Sequence, residues 1–478
     1  MFNNPSIFDQ FEMSGVWWHP SDEETITTGS LHRSFDETRL TLHGQQHMAE
    51  KFQHAVESTG EAQGTIFGRT SQNKDVTLFR TFWTDRQLNS GGVVQSKWFA
   101  NAMVIGAFLP NQDAAAFTKA RFYFPGSEAW LNLKPFQYDY DQVLSKKEFQ
   151  FKFPDINIPD VQIESCGAKL SLHSFGPNDN RKDPPFFSIE HRVYFQIEPS
   201  EPQSLKWFTN FKWRLGNLLR FLTASPVRCD HIQLELISDD AHESQKLCEL
   251  YGNLAATNIL TTPQSNHMLF RFEAIKDHWP SIVQAYFEDA TTFHNSFYLL
   301  SSDISKPPHG LENRFLALVQ CLEGITRCAG TQTYVSKQKY GSIQTALLKA
   351  IPPDTDEALK DKIKSMLRYG NERSLRKRIN AVLANLEPET QSLIYKNQSA
   401  FVAGIVDTRN FWTHVLAEKT TSILEGDDLM AACDKLQTLL LVLLAIRIKV
   451  PEPTVRAGLL GSDWMTQKRV RYLAARER

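Results

Sequence analysis

Arg409, Asn410 and His414 lie close together in the string D-T-R-N-F-W-T-H, residues 407–414. Arginine is a permanent cation whose planar fork matches phosphate oxygens. Histidine, with an unperturbed pKa of about 6.5, takes and returns a proton at neutral pH. An amide beside them can orient a hydroxyl or a phosphate oxygen. These groups suffice to cleave RNA without a metal: the ribose 2′-OH is deprotonated, attacks the adjacent phosphorus and expels the 5′-oxygen. The bare spacing is weak evidence, since about two Arg–His pairs so placed are expected by chance in this composition. A second pair, Arg271 and His278, does occur, across the strand-like RFEAIKDH. An Asn directly after the Arg makes the first pair much rarer. The plain alternatives are a bundle salt bridge for Arg409, to Glu418 or an acid on another helix, and a half-buried ring for His414, satisfied by a backbone carbonyl.

Helix geometry adds a constraint. At 3.6 residues per turn, positions five apart are about 140° out of phase. Arg409 and His414 therefore do not share a face, whereas Asn410 and His414, four apart, do. Either the helix is distorted at Arg409, or a second copy of the chain completes the site.

The elements that must position these residues follow from patterning. Before about residue 305 come short alternating runs such as TRLTLHG, DVTLFRTFW, EFQFKF, FFSIEHRVYFQIEP and HMLFRFEAI, which read as strands. Leu205, Phe208, Phe211, Leu215, Leu218, Leu219 and Leu222 mark one amphipathic helix among them. The expected class is α+β: a mainly β N-terminal region, then an all-α bundle. The β region divides into two modules, 1–150 and 151–305, with a boundary near 140–155. SSDISKPPHG is a linker, its Pro307–Pro308 disfavouring helix. The bundle spans 310–450, and 451–478 is a basic tail. The first bundle helix runs to about Ala329, with others at about 342–350, 356–368, 372–385, 390–418 and 428–449.

Charge divides at the same place. The chain of 478 residues carries a formal charge of −2, but residues 310–478 hold 25 Lys+Arg against 18 Asp+Glu, giving +7, and the remainder −9. A near-neutral total hides an acidic β half and a basic helical half, a pattern that points to a polyanion partner. Chance segregation between two solvated surfaces is the bland reading. Lys364, Arg368, Arg373, Arg376, Lys377 and Arg378 form the densest run and are candidate RNA contacts, although such runs often only solvate a helix.

Residues 310–450 resemble a HEPN domain, through RFLALVQCLEGITR, RYGNERSLRKRINAVL and VDTRNFWTHV, the last fitting the family form R-N-x-x-x-H. With GVWWHP, TRLTLHG and GRTSQNKDVTLFRTFW toward the N-terminus, the whole arrangement is similar to the ApeA family of anti-phage proteins. That resemblance implies an endoribonuclease with Arg409 at the scissile phosphate, Asn410 accessory, His414 as acid/base and Glu323 as a supporting acid. It also implies no cofactor and no metal, a homodimer through the HEPN domain with higher assembly open, host RNA (tRNA loops above all) as substrate, and an N-terminal region that senses a phage-derived trigger. The rival from another class is a non-catalytic HEPN domain that binds nucleotides or RNA, or acts as a scaffold.

Other residues carry bland readings more easily. His43, His47 and His54 could be metal ligands on a helical face, but a solvated polar face is the better reading. Trp17, Trp18, Trp83, Trp98 and Trp130 could stack bases, against ordinary core packing. The six cysteines form no CxxC and read as reduced core thiols. MFNNPSIFDQF lacks a signal-peptide pattern, and the apolar run Leu439–Ile446 is short for a membrane span. A cytoplasmic, non-membrane protein is expected. Nucleotide-binding glycine loops and G-x-S-x-G are absent from the chain.

Overall fold

Period-two alternation puts Trp17, Leu31, Leu40, Leu42, Ile66, Val76, Leu78 and Trp98 on one side of their strands, and they meet in one core. The computed structural model describes residues 6–7, 9–34, 36–58, 63–88, 93–133, 156–175, 192–237, 246–252, 267–288, 293–305, 310–328, 333–414 and 422–462. The strands are β1 Phe11–His19, β2 Asp22–Arg33, β3 Thr38–Gln45, β4 Ile66–Thr70, β5 Asp75–Leu88, β6 Val93–Ile105, β7 Ala115–Tyr123, β8 Val161–Ile163, β9 Ala168–Phe175, β10 Arg192–Pro199, β11 Gln203–Ser204, β12 His231–Leu236 and β13 Leu247–Gly252.

The order β3-β2-β1-β4-β5-β6, closed by β3 pairing with β6, makes a six-stranded antiparallel barrel. Helix α1, Gln46–Glu57, adds Phe52 and Val56 to its core, and Phe52 meets Trp98 edge-on at 5.7 Å. Strand β6 does double duty: Val93–Phe99 pair with β3, whereas Ala102–Ile105 pair with β13. From β13 the sheet continues through β12, β7, β10 and β9 to β8. Helix α2, Leu205–Thr223, covers its apolar face, with Phe211 stacked on Phe122 at 6.3 Å.

The boundary expected near 140–155 falls on residues outside the described ones. Strand β7, from before it, pairs with β10 and β12 from after it, so strands of both expected modules share one sheet. HMLFRFEAI does not form a strand. Phe270 and Leu269 donate to carbonyls at the end of α2, and a helical turn, Phe272–Ile275, follows. Phe272 and Ile275, three apart, are buried together there. EFQFKF and Pro307–Pro308 lie outside the described residues. Trp17, Trp98 and Trp130 are core residues, whereas Trp83 is 41% exposed.

The chain divides into two compact units, Met1–Phe287 and Glu288–Arg478. Helix α3, Trp279–Glu288, ends the first. The second contains α4 His294–Ser305, α5 Leu311–Cys328, α6 Lys337–Lys349, α7 Glu357–Tyr369, α8 Leu375–Leu383, α9 Pro388–Ile394, α10 Gln398–His414, α11 Gly426–Arg447 and α12 Glu452–Gly461. The helical unit thus begins before the expected linker. The single helix expected over 390–418 is two. Tyr395 is extended, and Asn397 starts a new helix by accepting the Ala400 N–H at 3.0 Å. The expected C-terminal tail begins as α12, anchored by buried Val455 and Leu459. Residues 463–478 lie outside the described ones.

Helix α11 is apolar all round and is the spine of this unit. By length and composition it could cross a membrane, yet most of it is buried inside the protein. It contacts α4, α5, α9 and α12.

A buried polar network ties three helices together. Arg314 on α5 donates to both Asp303 oxygens on α4, at 2.8 and 3.1 Å, and lies 3.5 Å from Asp434 on α11. Gln437 on α11 donates to Asp303 at 2.6 Å. Removing one partner of such a pair leaves a charge buried without its counter-ion. Asp303→Ala should therefore lower the unfolding free energy by about 3–5 kcal/mol, measured by urea denaturation. Little change would show that Arg314 is satisfied without it.

Candidate active site

Helices α5, α8 and α10 pack against one another, and the candidate residues meet where they do. Helix α10 brings Asp407, Arg409 and Asn410, and its backbone includes His414. Helix α5 brings Glu323, and α8 brings Arg376, Lys377 and Arg378. Apolar residues hold the frame: Leu318 and Leu322 on α5, Ile379 and Val382 on α8, Val402 and Ile405 on α10 are all buried.

Arg409 is held on two sides. Its Nε lies 3.0 Å from Glu323 Oε1, and one Nη donates to Asn410 Oδ1 at 3.1 Å. Neither member of the ion pair is sealed off, Arg409 being 28% and Glu323 18% exposed. Its second Nη takes no partner among the described residues and can receive a further anion. The salt bridge weighed for Arg409 is therefore present, with Glu323 as the acid on another helix; Glu418 lies outside the described residues. The same contact brings together two of the expected site residues. The side chain of His414 also lies outside the described set.

Behind Arg409 the helix is fixed by its neighbours. Asp407 accepts Arg376 Nη2 at 3.0 Å and the Ser422 hydroxyl at 2.6 Å. Thr408 is fully buried and accepts the Leu424 N–H at 2.9 Å. The helix stays regular from Gln398 to His414, with no distortion at Arg409.

The cationic run does not form one track. On the exposed face of α7, Lys364 pairs with Asp361 at 3.0 Å, and Arg368 stands one turn further on. Arg373 is half-buried between α7 and α8. Successive residues of α8 point about 100° apart, so its three cations go three ways. Arg376 turns to Asp407. Lys377 lies over the Tyr334 ring at 4.7 Å. Arg378 lies within electrostatic reach of Glu323 and Arg409, with its Nε buried and without a hydrogen-bond partner among the described residues. Burial first, then repulsion from Arg327 and Arg409, lowers its pKa from the ordinary arginine value, with Glu323 and Glu372 opposing.

Arg327 is the residue that motif reading missed. It stands four after Glu323 on α5 and so on the same face, and that E-x-x-x-R spacing was the available signal.

Alternative chemistries find little support. Burial pushes the thiols of Cys229, Cys248, Cys321 and Cys433 up to about 12, so they stay protonated at neutral pH. Cys166 is half-buried, and all five are free thiols. His43 lies on β3 and His47 on α1, so they do not share a helical face. Among the described residues no three of His, Cys, Asp and Glu gather as a metal site. The second Arg–His pair, Arg271 and His278, brackets the helical turn and a following 3-10 turn rather than a strand.

A β-rich unit ahead of a helical unit with an arginine-centred cluster defines an α+β protein with a HEPN helical domain. Residues 316–454 match the family model described as Apea-like HEPN, and residues 12–286 match ApeA N-terminal domain 1. The chain belongs to the ApeA family. Comparisons with curated proteins and with solved structures return no match. HEPN domains are generally ribonucleases, commonly bind RNA and dimerise, and the ApeA-like type is defence-related.

Because the Arg409–Glu323 pair is partly hydrated, its loss should cost little in stability. Glu323→Ala should lower the unfolding free energy by about 1 kcal/mol or less in urea denaturation. A loss of about 3 kcal/mol would instead make Glu323 a buried structural acid.

Proposed function

We propose that this chain is an anti-phage defence effector whose helical unit is a metal-independent endoribonuclease. In this reading Arg409 binds the scissile phosphate, Asn410 orients it, and His414 moves the proton between the ribose 2′-OH and the leaving 5′-oxygen. Glu323 fixes the plane of the Arg409 guanidinium. The products carry a 2′,3′-cyclic phosphate and a 5′-OH. Host RNA, above all tRNA loops, is the substrate, because attack requires the 2′-OH in line behind the scissile bond and a stacked A-form helix hinders that.

The observation that carries this reading is the Arg409 guanidinium. It is oriented by Glu323 and Asn410, it keeps one Nη open among the described residues, and it stands on the same helix as His414.

The regularity of that helix bears on assembly. With no distortion at Arg409, Arg409 and His414 of one chain remain about 140° apart. A homodimer through the helical unit, each copy completing the other's site, resolves the mismatch. Exposed apolar residues on α6 and α7, among them Ile343, Leu347, Leu359 and Met366, supply surface for such pairing. The acidic N-terminal unit is the regulator, responding to a phage-derived trigger.

Purified protein incubated with total RNA in EDTA should cut single-stranded loops and leave cyclic-phosphate ends. Cleavage that requires added Mg²⁺ would sink the mechanism. His414→Ala should reduce cleavage about 100-fold or more while leaving unfolding unchanged. Arg409→Lys should fail as well, since lysine keeps the charge but loses the planar fork. Sedimentation should give a dimer, and mixing His414→Ala with Arg409→Lys chains should restore part of the activity. A fully active monomer would refute the shared site.

A further inference from the structure

The guanidinium of Arg378 is the least compensated of the α8 cations. Its two neighbours in sequence are occupied, Arg376 by Asp407 at 3.0 Å and Lys377 by the Tyr334 ring at 4.7 Å. Arg378 has its Nε withdrawn from water and given no hydrogen bond among the described residues. Its helix packs on both α5 and α10, and it sits within electrostatic reach of Arg327, Glu323, Glu372 and, most weakly, Arg409. A buried donor left without a partner costs stability, and such an arrangement persists where something else gains from it.

Charge in this cluster is out of balance. Two other guanidinium groups, Arg327 and Arg409, and two carboxylates, Glu323 and Glu372, act on Arg378, and Glu323 is already engaged by Arg409 Nε. An oxyanion entering between Arg378 and Arg409 relieves the repulsion between them. A phosphodiester is the fitting class: its two non-bridging oxygens can accept from two planar forks at once. A compact ammonium would serve less well than a fork, because it brings point charge without paired donors.

We propose that Arg378 is a second phosphate-binding arginine of this site, acting with Arg409 across Glu323 on the sugar–phosphate backbone of single-stranded RNA. It is a substrate-binding residue outside the R-N-x-x-x-H string. The inference rests on the ribonuclease reading above and deepens it, by separating Arg378 from the rest of the cationic run. Lys364 and Arg368, on the exposed face of α7, are not part of this pair.

The test is binding by the full-length protein, with a single-stranded oligoribonucleotide made uncleavable by 2′-O-methyl groups, across a series of salt concentrations. Each phosphate contact to a single strand contributes about 0.7 to the slope of log K against log salt. Arg378→Gln should weaken binding about tenfold and reduce that slope by about 0.7. Its thermal unfolding should be unchanged or slightly improved, because a buried Nε–H without a hydrogen bond is removed. Arg376→Gln, whose guanidinium is committed to Asp407, should leave the slope nearly unchanged. Arg378→Lys is the second variant: it should keep the slope and still bind less tightly.

Wild-type affinity and slope in Arg378→Gln overturn the inference, as does an equal loss in Arg376→Gln. Binding that depends on Arg378 in a protein that cuts no RNA supports this inference and removes the ribonuclease reading. Cleavage of the natural RNA by wild type and by Arg378→Gln at equal KM does the reverse.

Discussion

The roll of α5 about its own axis is the constraint on which the candidate site depends. Arg314, gripped by Asp303 and flanked by Asp434, fixes one face of that helix against α4 and α11. Glu323 is nine residues further on, which on an α-helix is about half a turn away. The opposite face therefore looks toward α8 and α10, and Glu323 with it. Buried ion pairs are seldom a net source of stability, but they are selective about geometry. Here an apolar contact could let α5 rotate by several degrees, whereas a two-oxygen grip on one guanidinium cannot.

Within that frame the chemistry is a matter of counter-ions. Arg409 is oriented by a carboxylate and an amide and stays partly hydrated, so its charge is aimed rather than extinguished. The neighbouring cations on α8 show how position decides role. Arg376, Lys377 and Arg378 are adjacent in sequence, yet a helix sends them to a carboxylate, an aromatic ring and the site respectively. A dense basic run is therefore a poor unit of interpretation. What each cation touches separates structural charge from charge available to a ligand.

Much of this was legible in the sequence, and the failures are specific. The change from two-residue to helical period marked where β structure gives way to helices, because local burial patterns encode it directly. Helices α4 and α3 were missed because FHNSFYLLSSD and WPSIVQAYF are apolar and aromatic enough to read as part of the β region. The break at Tyr395 to Asn397 was hidden because no Gly or Pro marks it; a side-chain cap on Asn397 does the work. Barrel closure and the pairing of β7 with later strands depend on contacts between distant residues, which alternation alone does not specify. The motif residues themselves were visible, since Arg followed by Asn and then His is a local string. Glu323 as a supporting acid came from family likeness, whereas its contact with Arg409 and the surroundings of Arg378 required the packing of α5, α8 and α10.

Strand β6 is a single run of backbone that belongs to two structures, closing the barrel with its first half and opening the second sheet with its last residues. Its pairing with β5 spans the point of transfer but skips Arg80, whose φ is +51°, and shifts register between Trp83 and Asp85. The ladder holds on both sides of that interruption, Val76–Phe79 against Ala102–Ile105 and Thr81–Trp83 against Trp98–Ala100. The backbone of Val93–Phe99 in the barrel wall is thus continuous with that of Ala102–Ile105 beside β13, with the interruption between them. A bend between barrel and sheet would therefore fall at Arg80, where the strand pair that joins them is already released from regular pairing.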